Sequence, residues 1–405
     1  MISTLYDLTA YAFFLLVFVV LYTYMGYGVL AWILVSLKAR LGKSADLPGP
    51  AGSLPLVTLV VPAYNERAYL PEKLQNCLAQ DYPSSQLNLL FVVEGSTDGS
   101  AEYLEQRRAD LPNLTILSGS ERLGKVAAMN RAMQQITTPI TIFTDANTHL
   151  NLEAISRLVR RFNAPTVGAV TGEKRIRQAG FEAAAGSGEG LYWRYESFLK
   201  KLDAELYTIV GAAGELFAIR TELYEPVETD TLLDDFMISL RIAGRGYRVA
   251  YAPDAYALES PSFSVGEEMK RKVRIATGGF QAMKRLAYLL NVFRYGWLSF
   301  QYVSHRVLRW AVTPFCLPLL LLLNVIMLTR PDPASTRFWW LLFGIQLVFY
   351  AAAMLGYVLE NRQTRWKLTF VPFYFVFMNW CVLLGFWRYG NGSISGVWEK
   401  ARRAA

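Results

Sequence analysis

Four short groups of acidic residues punctuate one polar stretch of this chain: Val61-Pro62-Ala63-Tyr64-Asn65-Glu66, Glu94-Gly95-Ser96-Thr97-Asp98, Asp145-Ala146-Asn147 and Asp234-Asp235. Three of them directly follow an apolar, β-like run: Leu56–Val61, Leu87–Val93 and Ile140–Phe143. Carboxylates at the ends of neighbouring strands converge on one crevice in an open α/β sheet. Nothing in folding requires so many acids at strand ends, so the pattern points to a site for a divalent metal and an anionic substrate.

Each group also has a plainer reading. Asp145 at a strand tip suits Mg²⁺ or Mn²⁺ shared with a substrate diphosphate; it equally suits a turn or the N-cap of the next helix. Asn147 is a turn residue or a weak amide ligand. Asp234 and Asp235 open a helix, where acids complement the helix dipole; a general base there must sit within hydrogen-bond reach of an attacking hydroxyl. Arg271-Lys272-Val273-Arg274 places two arginines one turn apart, a phosphate grip or a basic stripe at a membrane surface. Lys125 follows Gly124 at a helix start and is a candidate phosphate contact without the spacing of a P-loop. Gly211-Ala212-Ala213-Gly214 reads as a turn into the strand that follows or as a loop that lets a sugar approach the backbone at Gly214.

The elements that must position these residues alternate between about 54 and 280. Apolar β-like runs occur at 55–62, 87–93, 113–117, 139–144, 166–171 and 247–252, with helix-like stretches near 66–80, 99–110, 123–136, 152–163, 189–206 and 231–243. That order predicts an α/β domain with a mostly parallel sheet and helices on both faces. A Pro/Gly-rich linker, 45–53, precedes it.

The remainder is membrane-like. The chain has 405 residues, of which 53% are hydrophobic. Segments 11–37, 310–329, 338–359 and 368–387 carry no charge, and a spanning helix needs about 20 apolar residues. The first is too long for a cleaved signal and lacks a preceding Lys or Arg, so it reads as a retained anchor. Lys38, Arg40 and Lys43 follow it, which places the polar domain in the cytoplasm. Arg362, Arg365 and Lys367 fit a second cytoplasmic loop, whereas Arg388, Lys400, Arg402 and Arg403 in the tail run against a four-span count. Residues 281–308 mix aromatic and basic side chains, as helices in the membrane interface do; a buried core helix with a basic edge has the same composition. The net charge of +8 resides mostly in these flanking clusters, and no nucleic-acid-binding motif is visible. Cys77, Cys316 and Cys381 are too scattered for a disulfide framework or a zinc site, and two histidines are too few for a histidine metal centre.

Taken in order, these motifs make residues 54–280 resemble the membrane-bound family 2 glycosyltransferases, relatives of cellulose, chitin and hyaluronan synthases. The resemblance implies a GT-A (Rossmann-like) domain over 54–280, inserted between an N-terminal anchor (1–44, span 11–37), interfacial helices (281–308) and a C-terminal transmembrane region (309–405). It implies that Ala63, Tyr64 and Glu66 border the nucleotide, that Glu94 and Asp98 bind uridine, and that Asp145 and Asn147 occupy the two positions of the metal-binding Asp-x-Asp motif. Asp235 falls on the catalytic base, and Arg271 and Arg274 fall on the Gln-x-x-Arg-Trp motif of processive synthases. The chain departs from the family at Glu94 (for Asp), Asn147 (for Asp), Arg271 (for Gln) and Ile275 (for Trp).

The implied function is inverting transfer of a sugar from a nucleotide-diphosphate donor, UDP-linked, to a growing polysaccharide, forming a β-glycosidic bond. Mg²⁺ or Mn²⁺, Lys125 and Arg274 would stabilise the leaving diphosphate. Two alternatives stand beside it: single transfer to a lipid acceptor, and a non-catalytic membrane scaffold or transport subunit. Expected partners are the donor, a glycan or lipid acceptor, membrane lipids of the inner or plasma membrane, and a secretion partner or second copy of the chain.

Overall fold

The structure, a computed structural model, describes residues 2–42, 54–176, 188–260, 264–362 and 366–392. The linker expected at 45–53 and the basic residues Lys43, Arg365, Lys400, Arg402 and Arg403 lie outside the described residues.

Eight strands form one sheet: β1 (Val57–Ala63), β2 (Leu87–Glu94), β3 (Leu114–Gly119), β4 (Ile140–Thr144), β5 (His149–Leu150), β6 (Val167–Ile176), β7 (Leu216–Arg220) and β8 (Arg248–Glu259). Their order is β3-β2-β1-β4-β7-β6-β8-β5. The first four are mutually parallel. β7 is antiparallel to both β4 and β6, β6 and β8 are parallel, and β5 adds antiparallel to β8. The sheet is therefore mostly parallel, as the alternation of elements predicts, with two reversed strands. Alternate residues of β1 enter opposite cores: Val57, Leu59 and Val61 one, Val60 the other with Phe143 and Phe217. Burial on both faces explains why the central strands read as unbroken apolar runs.

Register brings the acidic groups together. Ala63 pairs with Val93, and Val60 pairs with Phe143. The C-terminal ends of β1, β2 and β4 thus reach one edge of the sheet side by side, and the loops that leave them carry Glu66, Asp98 and Asp145.

Four helices are long and apolar enough to cross a membrane: Thr4–Arg40, Trp297–Met327, Ser335–Glu360 and Leu368–Gly390. They flank the α/β domain on both sides. The helix bearing Arg271 and Arg274 runs unbroken over Val265–Arg285, so position 280 falls inside it rather than at an edge. It packs on the last apolar helix, where a Cβ at Gly385 would lie 2.5 Å from Ala276 Cβ. After it come single turns at Ala287–Leu290 and Val292–Tyr295. Leu286, Leu289, Leu298 and Tyr302 face the core, whereas Phe293 is 100% exposed beside the exposed Leu290 and Val292. The stretch therefore carries core-facing and exposed apolar side chains in succession.

Candidate active site

The site starts from the loops that leave β1 and β2. Asn65 takes a left-handed conformation (φ 51°). Its side-chain oxygen accepts from Thr97 N at 2.8 Å, and its own N–H donates to Ser96 Oγ at 3.0 Å. Asp98 completes this knot by accepting from Arg67 N (2.9 Å), Ser100 N (3.1 Å) and Ser100 Oγ (2.5 Å). Burial pushes its pKa up, but the hydrogen bonds from Ser100 and the Arg67 N–H outweigh that and hold it below the usual carboxylate range. These bonds give Asp98 the place of a loop-organising residue, and it does not line the cleft described next.

Ala63, Tyr64, Glu66, Glu94, Lys125, Asp145 and Asn147 line a single open cleft. Two further residues help to build it. The Arg122 guanidinium lies 4.0 Å over the Tyr64 ring; a Cβ at Gly95, whose φ is +63°, would fall 2.7 Å from Arg122 Cβ, so glycine is needed there. Arg131 Nη1 donates to Glu94 Oε1 at 3.0 Å. Glu94 Oε2 is buried and makes no hydrogen bond among the described residues. Burial raises the Glu94 pKa, and Arg131 restrains the rise. Sequence reading missed both Arg122 and Arg131; their one signal was a basic character shared with Lys125 around the same helix start.

Lys125 is the hinge of the charged half. Its Nζ lies 2.9 Å from Asp145 Oδ1 and 3.4 Å from Asp234 Oδ2. Burial lowers its pKa, but Asp145 and Asp234 more than reverse this, so the ammonium is held charged. The groups at 145 and 234, remote in sequence, thus share one cation. Asp235 adjoins them. Burial, then the neighbouring Asp234, push its pKa up to about 7, with Lys125 opposing. A Cβ at Gly214 would lie 3.0 Å from Asp235 Oδ2, so the glycine lets its loop close against the carboxylate. That loop is pinned by Ala213 N donating to Thr171 Oγ1 (2.8 Å) and Ala212 N to Ser239 Oγ (3.0 Å).

The two arginines of the basic motif part company. Arg274 sits in the field of Asp234, Asp145 and Asp235; burial lowers its pKa and these acids work against that. Arg271 instead makes a double ion pair with Glu268, at 2.9 and 2.8 Å. It belongs to a neighbouring buried cluster in which Lys174 pairs with Glu215 and Glu259. Burial raises the Glu215 pKa, but Lys174 holds it down to about 2.

Among the described residues no three His, Cys, Asp or Glu side chains cluster to hold a metal by themselves. The cleft still offers the Asp145 carboxylate, whose Oδ1 accepts from Lys125, and the Asn147 amide. One carboxylate and an amide suffice for Mg²⁺ or Mn²⁺ that keeps waters and takes its remaining oxygens from a diphosphate. The donor set therefore fits a cation that arrives with its substrate.

Comparison with known proteins agrees with this architecture. The profile described as "Glycosyltransferase like family 2" matches residues 55–278, more than half of the chain. Poly-beta-1,6-N-acetyl-D-glucosamine synthase of Staphylococcus aureus is 25% identical over 237 residues, 56% of each chain. Glycosyltransferase AglE of Haloferax volcanii is 28% identical over 235 residues, 56% of this chain and 74% of that one. The match thus spans about half the length of the S. aureus relatives. Among solved structures, the mannosyltransferase PcManGT from Pyrobaculum calidifontis, in complex with GDP-Man and Mn²⁺, superposes with a TM-score of 0.68 at 23% identity, over 92% of this chain and 97% of that one. This likeness shows a shared fold across both the α/β domain and the apolar helices. The cleft, its acids and the matched profile lead to one conclusion: this chain belongs to the family described as glycosyltransferase like family 2, and it carries four helices long and apolar enough to cross a membrane.

Proposed function

We propose that the protein transfers a sugar from a nucleotide-diphosphate donor to an acceptor hydroxyl with inversion at the anomeric carbon. The carrying observation is Asp235: a carboxyl with a pKa pushed up to about 7, packed against Gly214 and one residue from the Lys125–Asp234 pair. A base with that pKa is matched to neutral pH. The Asp235 carboxylate takes the acceptor O–H proton as the acceptor oxygen bonds to the anomeric carbon. The carbon–oxygen bond to the diphosphate breaks on the opposite face, and its electron pair leaves with the phosphate. An α-linked donor then yields a β-glycoside.

In this mechanism Lys125 and Arg274 offset the charge that grows on the leaving diphosphate, a role their nearness to Asp145 and Asp234 supports. Asp145 and Asn147 would hold Mg²⁺ or Mn²⁺, which would supply Lewis-acid stabilisation there. In this reading Tyr64 and Glu94 contact the nucleoside and the donor is UDP-linked.

The acceptor we propose is a growing polysaccharide, in line with the synthase among the relatives. One observation favours single transfer to a lipid acceptor as a second reading: Ile275 stands where the resemblance to processive synthases would put Trp. The basic residues that follow the first span, with none before it, support a catalytic domain on the cytoplasmic face. Asp235→Asn tests the assignment. It should abolish transfer in a folded protein, and unchanged activity would refute the role of Asp235 as base. Incubating membranes with labelled nucleotide sugars separates the acceptors, since a ladder means polymerisation and one glycolipid band means single transfer.

A further inference from the structure

Lys73 has no role in the machinery above, yet it is among the most buried charges in the protein, at 2% exposure. Among the described residues it forms no ion pair. Its Nζ donates instead to Thr144 Oγ1 (2.9 Å), Thr148 O (2.9 Å) and Thr148 Oγ1 (3.3 Å). These acceptors bracket Asp145-Ala146-Asn147, so one ammonium ties both ends of the turn that presents the metal-binding positions. Burying an ammonium without a paired carboxylate is costly, and burial pushes this one down to about 8. Such a residue needs a return for that cost.

The chemistry of the donor suggests what the return is. An ammonium can only donate, so both hydroxyls must accept from it and direct their own protons elsewhere. Thr148 Oγ1 donates to Asp145 O at 2.9 Å, and Thr144 Oγ1 donates to Glu215 O at 3.0 Å. The first bond closes the Asp145 turn on itself. The second joins it to the segment in which Gly214 abuts Asp235. A neutral side chain at 73 would let both hydroxyls reorient and would release both bonds.

We propose that Lys73 is a positioning residue for sugar transfer, its buried ammonium locking the Asp145–Asn147 turn to the Gly214–Glu215 segment that supports Asp235. This rests on the transfer mechanism proposed above. Lys73→Met keeps length and removes every donated bond. The expected result is a fall in kcat of up to ~100-fold, the size of effect seen when reacting groups are displaced slightly. The manganese concentration for half-maximal activity should rise by ~10-fold or more, as on loss of outer-shell support. Two readouts need no turnover: weaker binding of Mn²⁺ with UDP or GDP by calorimetry, and faster amide exchange confined to residues 145–148 and 212–215.

Thr148→Val, which leaves the ammonium two acceptors, should show the same changes in smaller measure and keeps the test open if Lys73→Met does not fold. A purely structural lysine would alter the melting temperature alone. Wild-type exchange in both segments together with unshifted manganese–nucleotide binding, in either variant that folds, overturns the proposal. If Asp235→Asn keeps full transfer, the mechanism fails instead, and the binding and exchange measurements still decide the role of Lys73.

Discussion

In the proposed mechanism Asp235 and Lys125 divide the chemistry at the residue scale, and each yields a distinct expectation. Because the Asp235 pKa is pushed up to about 7, the fraction of base able to accept a proton grows with pH. The rate of transfer at saturating substrate should rise through about pH 7 and level off above it. Stability carries the opposite sign. The folded-state pKa lies above the ordinary value, so stability is highest with Asp235 protonated and declines as pH rises through about 7. Asp235→Asn, permanently neutral, should melt a few degrees higher than the wild type at pH 8 and match it near pH 4, a difference that thermal scans at the two pH values measure.

Lys125→Met leaves Asp145 and Asp234 facing each other without their shared cation. It should reduce kcat by ~100-fold or more, as loss of a charge-stabilising donor does, and more severely than it changes KM for the acceptor. At this scale the sequence was informative where a motif is contiguous. Asp145, Asp235, Lys125 and Glu94 could be named from local patterns. Arg131 on Glu94 and Lys73 under the Asp145 turn could not, because each acts across 37 and 71 positions of chain respectively.

Loops held by glycine set the geometry at the scale of elements. Gly214 is the position where a methyl group would press on the base, with its Cβ 3.0 Å from Asp235 Oδ2. Gly214→Ala should therefore lower kcat by ~10-fold or more, since a small misplacement of a reacting group is sufficient, while the melting temperature changes little; kinetics and a thermal scan on one preparation check both halves. The central strands β1, β2 and β4 were legible because burial on both faces leaves unbroken apolar runs. The outer parts of β6 and β8 were not, since they contain Glu173, Lys174 and Glu259, whose charges satisfy one another or neighbouring side chains inside the fold. Glu173, for example, accepts from Tyr251 OH at 2.5 Å and Ser197 Oγ at 2.6 Å. Buried charge erases the hydrophobic pattern on which strand reading depends. β5, only two residues long, is below the length at which any period can be seen. Asp98 shows the reverse case, in which a motif position was legible but its carboxylate serves the loop.

The whole molecule joins a transfer domain to four apolar helices through a buried polar seam. Tyr27 of the first apolar helix hydrogen-bonds Asp203 of the helix Gly188–Leu206. Asp203 also meets His305 Nδ1 at 2.5 Å, and Arg309 pairs with Glu196. Charges in such a place are expensive unless fully partnered, and removing one partner of a buried pair costs about 3–5 kcal/mol. Asp203→Leu should sharply lower the melting temperature in detergent, whereas donor KM in the surviving folded fraction stays near the wild-type value. The apolar helices themselves were plain from charge-free length. This seam was not, since its members come from three separate parts of the chain.

The most direct test of the account uses the purified, lipid-reconstituted protein with an α-linked nucleotide sugar and Mn²⁺, reading the anomeric configuration of the product by NMR for the wild type and Asp235→Asn. The account predicts a β-linked product from the wild type and a loss of at least ~100-fold in the variant, the lower range for a general base. An α-linked product, or a variant as active as the wild type, would contradict it.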